Sequence, residues 1–127
     1  MVSNLFEYEI IPSLARTADV DSAIQNNRKY KGIILLVDVT AFTATAAIQA
    51  INIQAQLGSN FLTVMAWTGL TINTVSRNAF LIYPGAASAG AWTDAPLQGH
   101  MPKNWQLNMD HLNAVSITYN VRGVYLP

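Results

Sequence analysis

"VSITYNVRG", Val115 to Gly123, alternates without a break: Val115, Ile117, Tyr119 and Val121 take one phase, and Ser116, Thr118, Asn120 and Arg122 the other. A period of two belongs to a strand with one buried face and one wet face. Just upstream, "WQLNMDH" (Trp105 to His111) repeats the arrangement, with Trp105, Leu107 and Met109 set against Gln106, Asn108 and Asp110. The intervening "LNA" reads as a short loop, so the chain is expected to end in a β-hairpin.

The same reading extends toward the N-terminus. "KGIILLVDVT" (Lys31 to Thr40) is rich in branched residues and suits a strand buried on both faces for part of its length. "FLTVMAW" (Phe61 to Trp67) and "AFLIY" (Ala79 to Tyr83) are bounded by Gly, Asn or Pro. "FEYEII" (Phe6 to Ile11) alternates until Pro12 interrupts it, which suits an edge strand or an arm over residues 1–13. In "TATAAIQAINIQAQLG" (Thr43 to Gly58) the alanines and the spacing of Ile48, Ile51 and Ala55 suit a helix. Asn52, Gln54 and Gln56 nevertheless alternate with Ile51, Ile53, Ala55 and Leu57, and Gly58 follows as a turn residue, so strand is preferred. The expectation is an all-β fold, a single-domain antiparallel β-sandwich of jelly-roll-like form spanning residues 1–127. "SAGAWTDAPLQGHMPKN" (Ser88 to Asn104) is then a long loop offering a contact surface.

Composition narrows the function classes. Charged residues are 11% of the chain against roughly 25% in an average soluble domain, so part of the exterior is expected to be covered by other copies or by a partner. Seven basic and seven acidic side chains cancel, and the one basic cluster, Arg28, Lys29 and Lys31, is short, which argues against nucleic acid. The apolar run Ile33 to Val37 is far too short to span a bilayer, and the N-terminus lacks the basic start of a signal peptide, so no membrane partner is expected and the chain reads as soluble and unsecreted. The absence of cysteine excludes disulfides and thiolate chemistry.

No chemical motif survives inspection. In "LIYPGAASAG" (Leu81 to Gly90) Gly85 and Gly90 enclose four residues, as in a phosphate loop, yet Ala91 and Trp92 stand where that loop needs Lys and a hydroxyl. A turn at Pro84 and Gly85 is the simpler reading. His100 and His111, with Asp94 and Asp110, show no paired ligand spacing. Asp19 and Asp21 lack the Gly and distal Glu of a calcium loop. The reading is therefore no enzyme, no cofactor and no metal site. Trp67 and Trp105 fall on apolar strand phases and read as core, whereas Trp92 in the long loop, and Phe6, Tyr8 and Ile10 near the start, are each either a lid on the sandwich or an anchor for a partner.

Several stretches taken together resemble a known family. They are "LARTADVDSAIQNNRKYKGIILLVDVTA" (Leu14 to Ala41), "IQAQLGSNFLTVMAW" (Ile53 to Trp67), "LIYPG" (Leu81 to Gly85) and "MPKNWQLNMDHLNAVSITYNVRGVYL" (Met101 to Leu126). The Ala-Arg-Thr run at 15–17, the strand ending D-V-T at Thr40, the Y-P-G turn at 83–85 and the S-x-T-Y-x-V strand at 116–121 resemble the head decoration, or cement, proteins of tailed bacteriophages. Met101 replaces the family's Leu before Pro102, and Gln56, Leu57, Asn60 and Phe61 replace its usual residues around the middle hairpin. The resemblance implies a β-sandwich virion protein, commonly a homotrimer, made in the host cytoplasm and bound to the outer surface of the capsid. Its partners would be the major capsid protein and its own copies, and the family pattern carries no catalytic residue. A carbohydrate-binding β-sandwich module, or a tail or neck component, is the alternative.

Overall fold

The computed structural model describes residues 7–43, 45–86, 91–111 and 115–127. The strands are β1 (Glu7–Arg16), β2 (Val20–Asp21), β3 (Gln25–Asn26), β4 (Gly32–Phe42), β5 (Ile48–Leu57), β6 (Asn60–Trp67), β7 (Ser76–Ile82), β8 (Asn104–His111) and β9 (Ile117–Leu126). They form two antiparallel sheets, one ordered β1-β9-β4-β7 and the other β2-β8-β5-β6, with β3 also paired to β8. The pairs nest: β1 with β9, β2 with β8, β4 with β7, and β5 with β6 innermost. Successive pairs fall in opposite sheets, which is one long hairpin rolled around a core, the jelly-roll arrangement.

The core is supplied by the apolar phase of each long strand. Ile33, Leu35, Val37 and Val39 of β4, Phe80 and Ile82 of β7, and Ile117, Tyr119 and Val121 of β9 face Ile51 and Ile53 of β5, Trp67 of β6, and Trp105, Leu107 and Met109 of β8. Trp67 meets Phe80 across the sheets at a ring separation of 5.0 Å. The preferred strand reading of the Ala-rich segment holds from Ile48 onward. Gly58, at φ +63°, takes the first place of the two-residue turn into β6, a conformation that strains any residue with a Cβ.

Two expectations need correction. β8 and β9 are not a hairpin, because they lie in different sheets, and "LNA" (112–114) falls outside the described residues. Alternation shows that a strand has an apolar face but not whether the next strand lies beside it or across from it. Here the two apolar faces meet through the core, and Nε2 of His111 lies 2.7 Å from the hydroxyl of Tyr119 where the chain crosses over. β1, for its part, does not stop at Pro12 but continues to Arg16 as an edge strand on β9. Pro12 lies within the register shift between Ile11 and Leu14, after another between Glu9 and Ile11, so its missing N–H costs no regular ladder bond.

Candidate partner-binding surfaces

Because Leu35, Val37 and Val39 point inward, Leu36 and Asp38 of β4 point outward. The register sets Ala79 and Arg77 of β7 beside them on one side and Arg122 and Asn120 of β9 on the other. Glu7 of β1 reaches Arg122 at 3.0 Å, an exposed pair of little energetic weight that fixes one rim. The opposite wall is the segment around Thr93, whose N–H donates to the Ala79 carbonyl at 2.9 Å and whose hydroxyl accepts from the Ala79 N–H at 3.0 Å. The result is a groove of about 490 Å³ with Leu36, Ala79 and Ala91 among its lining residues, and with Glu7, Asp38, Arg77 and Arg122 supplying balanced charge.

The sequence-selected residues divide around this groove. Phe6 lies outside the described residues. Glu7 and Glu9 take the outward phase of β1, so Tyr8 and Ile10 turn inward. Ile10 is 5% exposed and belongs to the core, with Cδ1 over Gly123. Tyr8 is half-buried and stacks on Tyr125 at 5.4 Å, which in turn stacks on Tyr30 at 5.2 Å. Burial drives ionisation of the Tyr8 hydroxyl well above its usual range. Ile10 is thus part of the core, and Tyr8 packs against it from the edge. Trp92 is half-buried; its chain neighbours Ala91 and Thr93 line the groove, and Trp92 itself is not among the lining residues. Trp67 and Trp105 are core, and the Trp67 indole N–H donates to the Ala95 carbonyl at 3.0 Å.

A second cluster forms where β8 crosses over to β9. Nε2 of His111 pairs with Tyr119, its backbone N–H donates to Asp19 at 2.7 Å, and the Arg16 guanidinium sits 5.6 Å from the Tyr119 ring centroid. Nδ1 of His111 is buried without a hydrogen-bond partner, so a second ring proton would have no acceptor. Burial accordingly lowers the His111 pKa from 6.5, with Asp19 opposing the shift. The unfolded chain then takes up this proton first as pH falls. Stability from His111 is present above the unfolded value of about 6.5 and is lost as pH drops through the lower folded value. The thermal midpoint is expected to fall between about pH 7 and pH 5, and His111→Gln to flatten that slope. Parallel slopes for the two proteins would rule the histidine out.

One surface is missed by counting charges over the whole chain. Between Asp38 and Arg77 the sequence contains no Asp, Glu, Lys or Arg. Of the large apolar side chains that are exposed, Phe42, Leu57, Leu62, Val64 and Val75 fall inside this run, and Leu14 and Ile24 outside it. The position of charges along the chain, rather than their number, was the signal available. No protein family, curated protein or solved structure matches the chain.

Proposed function

We propose that this chain is a structural virion protein that binds the outer surface of a phage capsid and stabilises the mature shell. The observation that carries the reading is the uncharged stretch between Asp38 and Arg77, which leaves Leu57, Leu62, Val64 and Val75 uncovered on a rigid β-sandwich. Such a surface suits a subunit whose working state is packed against neighbours. The sequence resemblance supplies the identity of those neighbours, namely the major capsid protein and other copies. A ligand that binds the expanded lattice more tightly than the precursor shifts the shell toward its mature form, and many copies acting together multiply a weak contact. The groove walled by the Thr93 segment is the surface offered to the shell, with Leu36 and Ala79 beside Asp38 on its floor and balanced charge among its lining residues.

Adding the purified chain to undecorated expanded heads tests this. It is expected to sediment with expanded heads and not with precursors, and to raise the temperature at which the heads break open. Arg77→Glu, at an exposed position on the groove rim, is expected to weaken that binding about tenfold. Absence from the head pellet together with retention on immobilised glycans would replace this reading with the carbohydrate one. A sugar platform built from Trp67 and Trp92 together is disfavoured, since Trp67 is 2% exposed.

A further inference from the structure

We propose that the β5–β6 hairpin is a contact between two copies of this chain, related by a two-fold axis passing near Leu62. The inference begins with the sheet edges. Along β1 the edge is interrupted by Pro12, by two register shifts, and by Glu7, Glu9 and Arg16. Along β7 it is covered by the loop that follows: Leu97 donates to the Leu81 carbonyl at 2.9 Å and accepts from the Tyr83 N–H at 3.0 Å, and Thr93 bonds Ala79. On the β2 and β3 side it is broken into two-residue pieces. These are the devices by which sheets avoid pairing with other chains.

β6 has no such protection. It carries neither charge nor proline, and among the described residues no further backbone hydrogen bond reaches Asn60 to Val64 beyond those to β5. The side chains point the same way. On β5, Ile51 and Ile53 are fully buried, Ala55 is half-buried, and Leu57, next on that phase, is 57% exposed. Leu62 faces Ala55 in register and is 53% exposed, and Val64 is 45% exposed. The apolar phase of the hairpin thus runs out past the core into solvent.

The absence of charge selects the occupant. A partner with an electric field of its own is met by complementary charge, and this surface offers none. In a two-fold contact a charge near the axis would face its own copy, and an uncharged strand centred on Leu62 avoids that cost. One open edge among the described residues also admits only pairing with itself, which closes as a dimer and does not grow into a filament. The register shift between Ile53 and Gln54 leaves Val64 as the extra residue of a bulge that ends the regular stretch. Antiparallel pairing of Asn60 to Val64 onto itself sets Leu62 against its counterpart and Asn60 against Val64. An icosahedral lattice has both two-fold and three-fold axes, so this contact is compatible with the trimers the resemblance implies.

Solution mass against concentration, with no capsid present, tests the contact separately from the capsid reading. The wild-type chain is expected to form an even-numbered assembly. Leu62→Lys, at an exposed position, should raise its dissociation constant more than about tenfold and leave the far-ultraviolet spectrum unchanged. Since the chain has no cysteine, Leu62→Cys provides an independent reading. Facing Cα atoms of antiparallel strands lie roughly 4.5–5.5 Å apart, within disulfide reach, so oxidation should give covalent dimers, whereas Val75→Cys, outside the hairpin and 63% exposed, should not. A wild type that stays monomeric up to its solubility limit, a trimer indifferent to Leu62→Lys, or equal cross-linking at both positions would each overturn the proposal.

Discussion

Trp105→Ala is expected to destabilise the chain by about 3–5 kcal/mol, the range for deleting a large aromatic from a packed core. Trp105 has no solvent exposure and lies in the middle of its sheet, opposite Gln25 of β3 and Ala55 of β5. Its indole N–H donates to the Tyr125 hydroxyl at 3.0 Å, tying the second sheet to the last strand of the first. Tyr125 is itself held between the rings of Tyr8 and Tyr30. The alanine variant therefore leaves a cavity and removes a polar tie that orients this aromatic stack. Trp105→Phe keeps most of the volume and loses the hydrogen bond, so it should cost only about 1–2 kcal/mol. Denaturant unfolding of the two variants separates packing from the polar tie. A cost below about 1 kcal/mol for the alanine variant would mean that the indole does not fill the core as described.

The strands were legible where one face is buried and one is wet. Alternation located β8 and β9 and placed Trp105, Leu107, Met109, Ile117, Tyr119 and Val121 inside, since period two follows from backbone geometry alone. It could not say that β8 and β9 face one another across the core, because a residue's phase carries no information about which strand lies beside it. Tyr8 and Ile10 looked like arm residues because Pro12 suggests a break, but an edge strand tolerates proline at a bulge, and the phase set by Glu7 and Glu9 turned both inward. The groove was not legible. Glu7, Asp38, Arg77 and Arg122 come from four strands distant in sequence, and only the nested pairing brings them to one face. The uncharged run was present in the sequence, but its meaning depended on knowing that β6 lies at an edge.

Gly32→Ala is expected to be as damaging as the loss of Trp105, at about 3 kcal/mol or more, because the overlap it creates has no soft side. A Cβ at Gly32 would overlap the carbonyl oxygen of Ile82 and come within 2.6 Å of Cδ1 of Tyr83. The first of these is a backbone atom of the paired strand β7, which cannot rotate away. Relief by shifting the chain is also blocked. The N–H of neighbouring Lys31 donates to the Leu126 carbonyl at 3.0 Å, the Lys31 carbonyl accepts from Met101 at 2.9 Å, and the Tyr83 hydroxyl donates to the Pro127 carbonyl at 2.7 Å. Moving Gly32 would thus disturb the end of β7, the end of β9 and the segment leading into β8 together. Two other glycines serve as internal controls. At Gly123 an added Cβ meets side-chain atoms, the ends of Ile10 and Ile33 at 2.7 and 3.1 Å and Cε1 of Tyr8 at 3.4 Å, which can give way more readily than backbone, so Gly123→Ala should cost less. At Gly58 nothing lies within 4 Å, and the cost reduces to the φ of +63°, roughly 1–2 kcal/mol for a residue with a Cβ. Denaturant midpoints should therefore rank Gly32→Ala below both other variants, and a Gly32→Ala protein as stable as Gly58→Ala would mean that β4 and β7 do not approach as closely at this end as described.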